Sequence, residues 1–316
     1  MADVSPSVNR RLQLLGGVGQ RWLDGLGELV SEVESAWGCR VEASLGGGSA
    51  AFVATATDRY GRPAVLKLAI PAGGEGYADF EREVLALSLG RPETHVEVYK
   101  VDTVRRALLL ERLGPPLAEL SLSVEEQIDI IAATLRGSWR PIEVPTELFT
   151  GADQARWLGD FIQRQWTTLD QPHPNATIDQ ALNFVDRRFA AFDRSTAVLI
   201  HGDAHPGNML TVIASGGDDR RFKLVDPEGL LSEPGHELGI PLRAWCDELI
   251  VGDPVRLGTE WCQRMSTATD VDAQSIWEWA FIERVSTGLL YAHLGDQTTA
   301  RAFLHIADQW SAVSDL

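Results

Sequence analysis

The chain has 316 residues, with 28 Lys plus Arg against 45 Asp plus Glu and a formal net charge of −17. Such a length suggests two lobes or one large domain with a substantial core, and 44% hydrophobic with 23% charged residues excludes a disordered tail or a collagen-like repeat. The acidic excess argues against a nucleic-acid backbone or an anionic membrane as main partner and favours cationic partners.

The opening MADVSPSVNRR lacks an apolar signal core, and no apolar run approaches the roughly 18 residues that span a bilayer. Three cysteines, Cys39, Cys246 and Cys262, are an odd number without C-x-x-C spacing. The expectation is a reducing, cytoplasmic compartment.

From Gln20 to Trp37, the residues Trp22, Leu23, Leu26, Leu29, Val30, Val33 and Trp37 recur at helical spacing, which predicts an amphipathic leading helix. The period then changes. CRVEASL, AAFVATAT and PAVLKLAI read as three strands of an antiparallel meander. ADFEREVLALSL returns to helical composition and is stopped by Gly90-Arg91-Pro92; HVEVYKVD and RALLLERL follow as two more strands, up to Gly114-Pro115-Pro116. Beyond that point the chain reads as helical, except for an island from Thr196 to Leu230 with short apolar runs and polar loops. An α+β chain is expected, with a first domain over 1–113 and a second over 114–316.

The island carries the strongest motif, His201-Gly202-Asp203-Ala204-His205-Pro206-Gly207-Asn208, followed by Asp226-Pro227-Glu228-Gly229. Asp203 precedes Asn208 by five positions, the Asp-to-Asn spacing of a kinase catalytic loop, and Asp226 ends an apolar strand where a metal-binding carboxylate is expected. Phosphoryl transfer needs one carboxylate to accept or orient the attacking hydroxyl and hard oxygens to hold Mg²⁺ against phosphates. Asp203 suits the first task, Asn208 and Asp226 the second.

Upstream, Lys67 is a lone cation in the apolar run AVLKLAI, costly to bury without a partner. Glu83 on the following helix is the preferred partner; Glu81 lies about 200° round the helix and cannot face the same lysine. Gly46-Gly47-Gly48-Ser49 could approach phosphate through its backbone amides, although a plain hairpin turn explains it as well. Only eight positions separate Asp226 from Pro234, too few for the activation segment of a protein kinase, and Gly202 replaces the arginine of H-R-D.

The segments WLDGLGELVSEVESAWG, AVLKLAIP, FEREVLAL, ALLLERL, IHGDAHPGNML and VDPEGLLSEPGHELG together resemble bacterial aminoglycoside phosphotransferases, in particular the streptomycin 6-phosphotransferase and hydroxyurea phosphotransferase branch. The likeness runs from about Trp22 to the final helices. It implies a protein-kinase-like bilobal fold with a small antiparallel β-rich N-lobe, a larger mainly helical C-lobe and ATP between them. By the same resemblance, Lys67 meets the ATP phosphates, Glu83 positions that lysine, and backbone groups of Glu111 and Leu113 meet adenine. Asp203 is the base, and Asn208 and Asp226 hold Mg²⁺; Ser49 is a nucleotide-site candidate only through the glycine turn that it ends. His201 would brace the loop, and Glu237 stands where relatives often carry a bracing aspartate.

The implied activity is ATP-dependent phosphorylation of an aminoglycoside hydroxyl, with streptomycin as one possibility. A kinase of hydroxyurea or an amino sugar, or a nucleotide-binding protein without turnover, are the alternatives. For a cationic small-molecule acceptor, Asp247, Glu248, Asp253, Glu260, Glu278 and Glu283 are the acidic residues of the helical region. Glu278 and Glu283 stand out because they lie among Trp277, Trp279, Phe281 and Ile282.

Overall fold

The apolar stripe of the leading segment forms a long helix, α2 (Gly17–Trp37), behind a short α1 (Pro6–Leu14). The computed structural model describes residues 4–46, 50–71, 80–142, 148–170, 174–213 and 221–316. Helix α1 was not read from sequence because its composition is mostly polar. Its start signal was nevertheless present: Ser5 accepts the Val8 N–H at 3.2 Å and Pro6 occupies the first turn, where proline loses no helical hydrogen bond. Val8 and Leu12 bury their side chains with Ile70.

Next come β1 (Arg40–Ser44), β2 (Ala51–Thr57), β3 (Pro63–Ala69), α3 (Phe80–Leu89), β4 (Val98–Asp102) and β5 (Ala107–Glu111). The five strands form one antiparallel sheet in the order β1-β2-β3-β5-β4. Three strands, a helix and two strands is the order expected from the period changes. Strand β3 sits between two partners, and Lys67 pairs across to Val53 and Leu108. One face of the sheet, with Ala64, Leu66 and Leu68 of β3, packs with Phe52, Ala54, Leu109 and the α2 residues Leu26 and Val33. Because strand side chains alternate, Lys67 falls on the opposite face.

The remaining elements are α4 (Val124–Ser138), α5 (Gly151–Thr168), α6 (Asn175–Ala191), β6 (Val198–Ile200), β7 (Met209–Thr211), β8 (Phe222–Leu224), β9 (Leu230–Ser232), α7 (Pro234–Gly239), α8 (Cys246–Val251), α9 (Pro254–Thr269), α10 (Ala273–His293) and α11 (Gln297–Trp310). Strand β6 pairs with β9 and β7 with β8, so the β-prone island does form short strands among helices. The chain groups into two units, Met1–Gly114 with Thr211–Lys223, and Pro115–Leu210 with Leu224–Leu316. The segment Thr211–Lys223, which a single boundary near residue 114 leaves with the helices, groups with the first unit. Among the described residues, no helix is long and apolar enough to cross a membrane.

Helix α10 is the centre of the second unit. It packs against α5, α6, α7, α9 and α11, and Trp277, Trp279, Phe281 and Ile282 are fully buried, as expected of a helix covered on all sides. Trp310 of α11 is also fully buried, and its indole N–H donates to the Pro254 carbonyl at 2.8 Å. Helix α9 passes over this ring at Gly258, where an added Cβ would lie 2.7 Å from ring Cζ2. Gly258→Ala should therefore overpack the contact and cost about 1–3 kcal/mol, seen as a lower urea midpoint; an unchanged midpoint would show that α9 can move off the ring.

Candidate active site

In the second unit, the chain leaves β6 at Ile200 and enters the His201–Asn208 loop. Its first two residues are held from below by α7. The buried Glu237 carboxylate accepts the His201 N–H at 2.5 Å and the Gly202 N–H at 3.1 Å. Gly202 has φ +86°, and a Cβ there would lie 3.0 Å from Leu230 Cδ1 and 3.1 Å from Glu228 Cβ. Glycine in place of the arginine of H-R-D is thus required by backbone conformation as well as by space.

His201 ties the loop to the strand that follows it. Its Nδ1 accepts the Asp203 N–H at 3.2 Å, which leaves Nε2 as the protonated nitrogen, donating to the Val225 carbonyl at 2.8 Å. The Val225 N–H donates in turn to the Asn208 carbonyl at 3.0 Å. Asn208 directs its side-chain N–H groups to the Asp203 carbonyl and to Asp203 Oδ2, both at 3.0 Å. Asp203, Asn208 and the residue before Asp226 are therefore one hydrogen-bonded network, and Asp226 itself adopts φ +60°, a left-handed conformation that aspartate tolerates better than most side chains.

The donor set suits Mg²⁺. The Asn208 amide hydrogens are spent on Asp203, which leaves the amide oxygen as the atom that could meet a cation, and Asp226 offers a carboxylate. Two hard oxygen ligands from protein, with phosphates and water completing the shell, are what this ion ordinarily takes.

The second oxygen of Asp203, Oδ1, accepts from Nη2 of Arg243. Nη1 of the same guanidinium donates to Glu283 Oε2 at 2.9 Å, and His236 Nε2 lies 3.6 Å from Glu283 Oε1. Burial works against ionisation of Glu283, but contacts with His236 and the charge of Arg243 hold its carboxyl below the usual range. Burial likewise opposes the charge on Arg243, and Asp203, Glu283 and Glu228 outweigh it and push the guanidinium pKa upward. Burial lowers the pKa of His205, whose Nδ1 accepts the Gly207 N–H at 3.0 Å.

In the first unit, Lys67 Nζ meets Glu83 Oε1 at 2.6 Å, with both residues buried. Glu81 instead approaches Arg106 at 3.6 Å from an exposed position, which resolves the choice between the two glutamates. The Glu111 carboxylate accepts from Lys223 at 2.6 Å and from the Glu97 N–H at 3.1 Å. Its own N–H donates to the Glu97 carbonyl at 2.8 Å, so of its backbone groups only the carbonyl is suited to an adenine edge. Leu113 is half-buried just past β5, and Ser49, with Gly47 and Gly48, lies outside the described residues.

The acidic residues expected near an acceptor separate by burial. Glu278 is fully buried and ion-paired with Arg187 at 2.7 Å and Arg188 at 2.6 Å, so its charge is engaged inside the second unit. Glu283 is engaged by Arg243. Asp253 caps α9, and Glu260 pairs with Arg256 one turn away. Asp247 and Glu248 are exposed in the first turn of α8. The contact that sequence reasoning missed is Arg243 on Asp203. Its signal was available, because Arg243 is a lone cation in the apolar run IPLRAW, as Lys67 is in its strand.

Glu237 generates a pH prediction. Complete burial raises its pKa, and the two N–H donors pull it back only in part, leaving it at about 7. A carboxyl whose folded pKa exceeds its unfolded value contributes stability in full below the unfolded pKa, and that contribution is lost as pH rises through the folded one. Unfolding titrations should show wild type losing this contribution between pH 4.5 and about 7. Glu237→Gln should have a flatter profile across that window; equal slopes would place the titration elsewhere.

The fold has many solved relatives. Choline kinase LicA from Streptococcus pneumoniae superposes with a TM-score of 0.62 at 15% identity, covering 91% of this chain and 99% of that one. Aminoglycoside phosphotransferase APH(4)-Ia, in a ternary complex with AMP-PNP and hygromycin B, gives 0.60 at 14% identity, covering 90% and 97%. Both likenesses carry the kinase-like α+β fold. Streptomycin 6-kinase of Streptomyces glaucescens is 25% identical over 244 residues, 77% of this chain and 75% of that protein. The family model described as aminoglycoside/hydroxyurea antibiotic resistance kinase matches residues 37–295, and the chain, a small-molecule kinase, belongs to that family.

Proposed function

We propose that this kinase transfers the γ-phosphate of ATP to a hydroxyl of an aminoglycoside, with streptomycin as the leading acceptor. The observation that carries the reading is the Asp203 carboxylate, held on one oxygen by Asn208 and on the other by Arg243 in a loop whose backbone is tied to the residue before Asp226. In this assignment Asp203 accepts the proton of the acceptor hydroxyl as its oxygen bonds to the γ-phosphorus and ADP leaves. Lys67, kept in place by Glu83, contacts the phosphates, and the Glu111 carbonyl and Leu113 serve the adenine.

Asn208 and Asp226 would hold Mg²⁺, which when bound neutralises phosphate charge. The free Cys39, Cys246 and Cys262 support action in a reducing, cytoplasmic compartment. For the acceptor's cationic groups, the exposed Asp247 and Glu248 on α8 are the favoured carboxylates.

Asp203→Asn should keep ATP affinity and lower turnover by about 10²–10⁴, measured as ADP release with streptomycin. Near-normal kcat in a folded variant would remove Asp203 from the role of base.

A second measurement distinguishes aminoglycosides from the uncharged acceptor named in the family description, hydroxyurea. A chain of charge −17 attracts a multiply cationic acceptor, and salt weakens that attraction as the Debye length falls to about 8 Å at 0.15 M. The acceptor KM should rise with potassium chloride at fixed free magnesium while the KM for ATP changes less. A flat acceptor KM, or a best acceptor that is uncharged, would transfer the proposal to hydroxyurea or another neutral hydroxyl compound.

A further inference from the structure

The Asp203 carboxylate is met by two donors on opposite oxygens, and the second donor is not part of the His201–Asn208 loop. Arg243 ends the 3₁₀ turn Ile240–Arg243, and two successive residues of α10 fix that turn. Glu283 takes the Arg243 side chain through Nη1. Arg284 sends Nη2 to the Leu242 carbonyl, while its own guanidinium lies over the Trp310 and Phe303 rings, at 4.6 Å and 5.3 Å from the centroids. Glu283 is 5% exposed and Arg284 fully buried. The cation beside Asp203 is therefore anchored to the core of the second unit, and its two terminal nitrogens serve two carboxylates.

We propose that Arg243 is a positioning residue for the base, and that Glu283, one of the two glutamates that stand out among the α10 aromatics, holds Arg243 in place. The inference rests on the assignment of Asp203 as base. A carboxylate held only by Asn208 can still rotate about its side-chain torsions; a second, charge-assisted bond on the other oxygen removes that freedom and aims it. The planar fork of arginine makes both bonds at once, which the single ammonium of lysine cannot do with the same geometry. Loss of the Arg243 contact should therefore act on the step that uses Asp203 and leave nucleotide binding alone.

The test uses Arg243→Ala, Arg243→Lys and Glu283→Gln in the full chain, with Arg243→Ala repeated in an Asp203→Ala background. Turnover of Mg·ATP is measured with streptomycin, and with hydroxyurea or water as acceptor should streptomycin be inert; melting temperatures are recorded for each variant. Arg243→Ala should lower kcat by about 10- to 100-fold with the KM for ATP within about twofold of wild type. Arg243→Lys should recover part of the loss, and Glu283→Gln should lose less than Arg243→Ala. In the Asp203→Ala background the same Arg243→Ala change should cost less than about twofold, because residues acting as one unit are non-additive. Should Arg243→Ala fail to fold with Glu283 left unpaired, the charge-free pair Arg243→Gln with Glu283→Gln takes its place.

A wild-type kcat in Arg243→Ala would overturn the proposal, as would an equal loss with and without Asp203. So would a change confined to the acceptor KM, which would place Arg243 on the acceptor instead. Near-normal turnover of Asp203→Ala alone would overturn the base assignment itself, an outcome distinct from failure at Arg243.

Discussion

The geometry of the second unit's loop depends on one buried carboxylate. Glu237 accepts two consecutive backbone N–H groups, from His201 and Gly202, at the point where β6 ends and the polar loop begins. Two orphan donors inside an apolar interior would each carry the desolvation cost of an unmade hydrogen bond; one side chain satisfies both and sets the direction in which the chain leaves the strand. The steps that follow, from His201 to Val225, Val225 to Asn208 and Asn208 to Asp203, take their starting point from that direction. The left-handed Gly202 allows the turn, and the close approach of Leu230 and Glu228 keeps the position free of a side chain.

The same constraint, that an interior charge needs a partner, organises the rest of both units. Lys67 and Glu83 bring a strand and a helix together in the first unit. In the second, Glu278 joins α10 to two arginines of α6, and Glu283 joins α10 to the turn that carries Arg243. Breaking such a pair by removing one partner is costly because the other charge is left buried. That cost gives each pair a strong hold on the relative position of its two elements, and the proposed role of Asp203 toward an acceptor hydroxyl would draw on this rigidity.

The order of elements in the first unit was legible because period changes, turn residues and strand-length apolar runs each signal locally. The Lys67–Glu83 pair could be anticipated for the same reason: a cation in an apolar strand has few options, and helical geometry allows only one of two nearby glutamates to face it. Asp203, Asn208 and Asp226 were legible as a spaced motif. Arg243 was marked only as a lone cation in an apolar run; its partners Asp203 and Glu283 are each 40 positions away, and no local period connects them. Glu278 was left undecided for a related reason. Its aromatic neighbours marked it as unusual, but only the arrival of Arg187 and Arg188 from α6 distinguishes a core pair from an acceptor contact.

These pairings also bear on how the net charge acts. Two buried carboxylates of the second unit are met by arginines, Glu278 by Arg187 and Arg188 and Glu283 by Arg243, whose other terminal nitrogen serves the part-exposed Asp203. Matched interior groups contribute little to the field outside the protein, so the −17 excess is expressed mainly by exposed side chains such as Asp247 and Glu248. An excess spread in this way attracts cations generally and raises their encounter rate without selecting among them. Under the proposed function, selection of an acceptor would fall to short-range contacts around the held carboxylate of Asp203. In the proposed assignment the guanidinium of Arg243, about one-fifth exposed, would disfavour a second positive charge close to the acceptor hydroxyl. A polycationic acceptor is accommodated by the proposed chemistry when its hydroxyl points to Asp203 and its cationic groups are turned toward the acidic exterior.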